Sequence, residues 1–136
     1  MQISNQTDYF ELLFKLYKKI DFEYDAIVAL KRSGWMMGAY YSNLSIKPVF
    51  TESEINSIPE KFKRILIVDD KICKGKAIRK VFNLLEKKGK IIKTACIFIE
   101  GEKLSDFYEI DLNNKKIKMW YEVPFNSALI KAKEMI

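Results

Sequence analysis

The stretch Arg64-Ile65-Leu66-Ile67-Val68-Asp69-Asp70-Lys71-Ile72-Cys73-Lys74-Gly75-Lys76-Ala77 decides the fold. Its apolar run, residues 65 to 68, is continuous rather than alternating, the pattern of a strand covered on both faces of a parallel sheet. The run leads directly into two carboxylates. A helix is predicted from about Lys76 to Lys88, with Val81, Leu84 and Leu85 on it and Gly89 placed to close it.

Outward from this core the same alternation repeats. Ala26-Ile27-Val28-Ala29-Leu30 is a second buried strand, ending at Lys31-Arg32-Ser33-Gly34, and Trp35 to Leu44 reads as the helix that follows. Lys47 to Phe50 reads as a short strand, Thr51 to Lys63 as a polar connection, and Ile91 to Ile99 as another strand. Ile117 to Tyr121 is expected to form the last strand and Ser127 to Met135 a short helix. Near the amino terminus Thr7 is placed to cap a helix with Asp8 in its first turn. Strands alternating with helices predict an α/β domain with a mostly parallel sheet.

With 136 residues there is room for one domain, expected to span 1–136. At 49% hydrophobic and 31% charged residues the composition is globular. No apolar run reaches the roughly 18 residues of a membrane span, and Met1 to Phe10 lacks a cationic segment before an apolar one, so a soluble cytoplasmic protein is expected. There is no histidine, which excludes His-based triads and most zinc sites. Two cysteines make neither a disulfide framework nor a four-ligand metal site, and Cys96 reads as a small core residue. A net charge of +6 favours an anionic partner, and biased residue usage accounts for it equally well.

In open α/β sheets ligands bind beyond the carboxyl ends of the strands. One such end here, Lys31 to Gly34, supplies cations and backbone donors. The other, Asp69 to Lys76, pairs two carboxylates with a turn into a helix amino terminus, a natural anion site. Carboxylates bind sugar hydroxyls or hydrated magnesium. Together they describe a pocket for a phosphorylated sugar. The phrase 64–70 also opens like a response-regulator receiver, but half the chain precedes it and only Asp111 follows as a phosphoacceptor. A P-loop fails because Lys74-Gly75-Lys76 lacks the required Gly spacing and the following Ser or Thr.

The chain resembles the type I phosphoribosyltransferases, closest in layout to the bacterial xanthine-guanine enzymes. Residues 65–77 resemble the family's phosphoribosyl pyrophosphate motif, Ile27 to Gly34 its pyrophosphate loop, and Trp120-Tyr121-Glu122-Val123-Pro124-Phe125 its hood. The resemblance implies a Rossmann-like sheet flanked by helices, with a core of about 20–112. A small hood at about 113–136 would lie near the N-terminal helix. It implies transfer of 5-phosphoribosyl to a nucleobase with release of pyrophosphate, as in nucleotide salvage, by a homodimer using Mg²⁺. Asp69 and Asp70 would bind the ribose hydroxyls and magnesium, and residues 73–77 (Cys73, Lys74, Gly75, Lys76 and Ala77) the 5′-phosphate. Lys31, Arg32, Ser33 and Gly34 would hold pyrophosphate, with a strained cis peptide often seen in that loop. Glu100, Trp120 and Tyr121 would meet the base. Asp69, Asp70, Arg32 and Cys73 are the candidate catalytic residues.

This sequence departs from the family pattern. The usual Thr residues are missing at 73–74 and 77, Cys73 stands where guanine-type enzymes have an Asp, and Glu100 replaces a Lys. An acceptor at 100 favours an amino-bearing base such as adenine or cytosine over a 6-oxopurine. The segment 51–63 is short for a lid, and offers Glu52, Glu54 or Lys61 as a partial one. The alternative is a non-catalytic regulator that binds phosphoribosyl pyrophosphate or a nucleotide on the same fold. A nucleic-acid-binding module ranks last, since no helix-turn-helix or aromatic-basic strand pattern is present.

Overall fold

The structure is a computed structural model that describes residues 6–72, 75–101 and 105–113. Its strands are β1 (Ala26–Ala29), β2 (Val49–Thr51), β3 (Arg64–Ile72), β4 (Ile91–Ile99) and β5 (Phe107–Asp111). All neighbours are parallel, in the order β2-β1-β3-β4-β5. Parallel neighbours cannot be joined by a tight hairpin. Accordingly α2 (Ser33–Ser45) carries the chain from β1 to β2 and α3 (Lys76–Lys87) from β3 to β4, while α1 (Gln6–Lys19) precedes the sheet.

Residues of β3 alternate between two cores, as the pleat requires. Leu66 and Val68 join Tyr9, Leu13, Met37 and Tyr41 from α1 and α2. Ile65 and Ile67 join Ile78, Val81 and Leu85 of α3, with Ile55 and Ile58 from the β2–β3 connection. The Tyr41 hydroxyl donates to the Leu13 carbonyl at 2.6 Å, which satisfies a buried polar group and ties α2 to α1. Gly38 brings α2 close to the sheet: a Cβ there would stand 2.7 Å from the Ala29 Cβ.

The doubly covered parallel sheet agrees with the sequence reading, and several boundaries move. β3 continues past Val68 to Ile72, so the two acids lie on the strand, not after it. Pairing with β4 (Asp69 with Cys96, Lys71 with Phe98) supplies the hydrogen bonds that carry it on. The first helix starts at Gln6, which places Thr7 inside it rather than at its cap. The connection after β2 holds a 3-10 helix, Glu52–Ser57, opened by reciprocal bonds between Thr51 and Glu54. β5 lies where the sequence pattern predicts no strand. The strand expected at 117–121, the helix at 127–135 and the hood beyond Asn113 lie outside the described residues. Among the described residues no helix is long and apolar enough to cross a membrane.

Candidate functional site

Three segments converge on a cavity of about 370 Å³ at the carboxyl edge of the sheet. The first is the turn from β1 into α2. Leu30 leaves the strand with its N–H donating to the Val68 carbonyl at 3.0 Å, and Lys31 and Ser33 then line the cavity. Between them Arg32 has φ 55° and ψ −77°, a backbone that a non-glycine residue adopts at a cost of about 1–3 kcal/mol. Every peptide bond among the described residues is trans, so the unusual backbone of this loop is the Arg32 dihedral pair rather than a cis bond. The Arg32 side chain is exposed and does not line the cavity. Gly34 is buried behind the loop, where a Cβ would come within 3.0 Å of the Val68 carbonyl oxygen. Its smallness serves this close approach.

The second segment is the end of β3, where Asp69 and Asp70 both line the cavity. Asp70 is 4% exposed, and its N–H donates to Asp69 Oδ1 at 2.8 Å. Burial, then the charge of Asp70 and a side-chain hydrogen bond with it, push the Asp69 carboxyl up to about 8, and Glu52 adds to the effect. Beneath the pair lies Tyr9 of α1, whose hydroxyl is raised above its ordinary value by burial and then by the charges of Asp70 and Asp69. Cys96, beside Asp69 in register, is buried and pushed up to about 12 by desolvation, as an inert core thiol should be.

The third segment is the amino terminus of α3. Gly75 occupies its cap position at φ 71°, a left-handed conformation suited to glycine, and brings no side chain to the first-turn N–H groups. Ala77 faces the cavity, and Lys76 is exposed in the same turn. These amides and the helix dipole suit an anion. Of the residues singled out in the sequence, Lys31, Ser33, Asp69, Asp70 and Ala77 line this one cavity. Cys73, Lys74, Trp120 and Tyr121 lie outside the described residues.

Two further residues complete the lining. Glu52, which the sequence offered only as part of a lid, reaches the Lys31 N–H. Glu54 is instead engaged with Thr51, and Lys61 lies over the Phe62 ring. Lys71 lines the cavity and pairs with Glu100 at 3.6 Å, so Glu100 sits beside a cation at the end of β4. The strand register held the signal for Glu52: Ala29 pairs with Thr51, which sets the next residue beside the loop.

A second cavity, about 420 Å³, opens at the opposite edge beside Tyr24, Lys47 and Arg64. Two of its charged groups are engaged with the protein. Asp25 accepts the N–H groups of Lys63 and Arg64, while Arg64 donates to the Glu23 carbonyl and stacks on Phe22.

No protein-family model matches the chain, and no curated protein matches it. Solved structures do. A Helicobacter pylori xanthine-guanine-hypoxanthine phosphoribosyltransferase is similar at a TM-score of 0.80 and 19% identity, over 97% of this chain and 99% of that one. A Pyrococcus horikoshii purine phosphoribosyltransferase is similar at 0.72 and 22%, over 89% and 93%. A hypothetical protein from Neisseria gonorrhoeae with bound ppGpp is similar at 0.75 and 15%, over 99% and 97%. The chain has the type I phosphoribosyltransferase fold.

Proposed function

We propose that this chain is a small phosphoribosyltransferase that moves 5-phosphoribosyl from phosphoribosyl pyrophosphate to a nucleobase and releases pyrophosphate. The observation that carries the reading is the convergence of Lys31 and Ser33, Asp69 and Asp70, and the α3 amino terminus on one cavity. Each segment matches one part of the donor. The α3 amides take the 5′-phosphate, the two carboxylates take the ribose hydroxyls, and the 31–34 loop takes the pyrophosphate.

Asp69 and Asp70 would hold Mg²⁺. Two crowded carboxylates, one of them pushed toward protonation by burial and by the charge of its neighbour, are a donor set a hard dication suits. When bound, magnesium supplies positive charge against the departing pyrophosphate. The protein's own part is orientation and electrostatics. The bond from the anomeric carbon to pyrophosphate oxygen breaks as a base nitrogen bonds to that carbon, and Lys31 and the loop amides meet the charge that leaves. Cys73 is assigned the proton shed by the base, and Trp120 and Tyr121 the base itself. Glu100, steadied by Lys71, presents an acceptor to an amino-bearing base such as adenine or cytosine.

Calorimetric titration with phosphoribosyl pyrophosphate, with and without Mg²⁺, tests the reading. Magnesium-dependent binding that Asp69→Asn and Asp70→Asn abolish is expected, followed by pyrophosphate release on addition of a base. Binding unchanged in both folded variants would overturn it. A second reading, a nucleotide-binding regulator without turnover, is favoured by the ppGpp held by the similar Neisseria protein. Turnover with any common base would refute that one.

A further inference from the structure

The backbone N–H of Lys31 donates to Glu52 Oε1 at 2.5 Å, a contact spanning 21 residues of sequence. It lies just past the end of the β1–β2 ladder. Ala29 is opposite Thr51, and beyond that rung a loop donor meets a side-chain carboxylate in place of a strand carbonyl. Glu52 is held there from a firm base. The Thr51–Glu54 capping box fixes the start of the 3-10 helix, and Ile55 and Ile58, 5% and 8% exposed, anchor it in the core. The charged neighbours sharing this cavity are Lys31, Lys71, Asp69 and Asp70, and Lys71 is paired with Glu100.

A carboxylate is an oxyanion. It therefore occupies the kind of donor that a phosphate oxygen would use in this loop, and adds negative charge to the same cavity. We infer that Glu52 is a built-in competitor for the anion site and sets its affinity. Pyrophosphate enters the 31–34 loop only in exchange for the Glu52 carboxylate, and the return of that carboxylate helps expel pyrophosphate as product. This rests on the loop being the pyrophosphate site of the proposed function.

The probe is inorganic pyrophosphate, titrated calorimetrically in Mg²⁺ into the unaltered protein, Glu52→Gln and Glu54→Gln. Glu52→Gln should bind roughly tenfold more tightly, equivalent to about 1.4 kcal/mol, because the neutral amide competes less well for the Lys31 donor and lowers the negative charge. Glu54→Gln, which disturbs the same segment without touching the donor, should stay within about twofold of the unaltered protein. Equal or weaker binding by Glu52→Gln overturns the inference alone and leaves the proposed function standing. So does equal tightening by Glu54→Gln, which would trace the effect to a loosened segment. Pyrophosphate bound by none of the three overturns both. In the unaltered protein the Lys31 amide resonance should also move on saturation with pyrophosphate, and an unmoved resonance counts against the exchange.

Discussion

Replacing Asp69 by Asn should make the cation-free protein more stable, and increasingly so as pH rises. The Asp69 carboxyl ordinarily titrates at 3.8 and is held at about 8 in the fold. A carboxyl raised in this way favours the folded state most below its unfolded value, and that advantage is lost as pH climbs through the folded one. The difference of roughly 4 units, at about 1.36 kcal/mol each, sets a ceiling of about 5 kcal/mol at pH 8 and above. Asp69 and Asp70 share a hydrogen bond and each other's charge, so part of the strain belongs to the pair and persists in the variant. A gain on the order of 2–3 kcal/mol is therefore expected near pH 8, shrinking toward zero near pH 4.

Asparagine is the right replacement because it keeps an Oδ1 to accept the Asp70 N–H at 2.8 Å. For a chain of 136 residues the gain corresponds to a Tm rise of roughly 5–10 °C. Thermal melts followed by circular dichroism in chelator between about pH 4 and 9 read it directly. The proposed function adds that the same variant should lose magnesium-dependent binding of phosphoribosyl pyrophosphate while it gains stability. A pH-independent Tm difference, or a variant less stable at pH 8, would refute the reasoning.

Other substitutions test the frame around the site. Gly38→Ala forces a methyl to within 2.7 Å of the Ala29 Cβ and 3.1 Å of Val49 Cγ2, and should cost about 1–3 kcal/mol in urea unfolding. Arg32→Gly relieves the φ of 55° and should be stabilising by up to about 1 kcal/mol after the added freedom of the unfolded chain is offset, as the same urea midpoint would record. If Glu100 reads the base, Glu100→Gln adds a donor there and should shift the kcat/KM ratio toward 6-oxopurines by about tenfold or more. An unchanged ratio removes Glu100 from the base contact.

The sequence made the framework legible wherever burial was complete. Ala26–Ala29 and the Ile65–Val68 run are wholly buried, and full burial on both faces writes a continuous apolar string that needs no tertiary context to recognise. β5 was illegible for the opposite reason. Phe107 to Ile110 are only partly buried and carry Glu109, so the segment becomes a strand only because β4 offers it a ladder. Pairing along the other edge of β4 likewise draws Asp69 and Asp70 into β3, although two adjacent acids read locally as the end of a strand. Of the site, the loop residues and the acid pair followed from local motifs. Glu52 and Lys71 did not, because their place depends on pairing between strands remote in sequence. Nothing in the residues around Thr51 distinguishes Glu52, which turns to the cavity, from Glu54, which turns back to cap the helix.

The charge of the site runs against the charge of the chain, and this separates two ways of attracting a polyanion. The chain carries +6, yet its cavity gathers Glu52, Asp69 and Asp70 around Lys31 and a Lys71 already paired with Glu100. If net charge drew the ligand, phosphoribosyl pyrophosphate would bind without a divalent cation, and its affinity would fall steeply as added salt shortened the screening length to about 8 Å near 0.15 M. If the cavity governs, the acids repel a bare polyanion and a dication reverses that local balance. A partly buried ion pair is also screened far less than exposed charges. Chelating magnesium should therefore weaken binding by roughly a hundredfold, about 2.7 kcal/mol, while raising NaCl from about 50 to 200 mM with magnesium present should change it by no more than about threefold. Titrations in EDTA and across that salt range decide between them. Strong salt dependence together with indifference to EDTA would mean that the acid pair is not where the ligand sits.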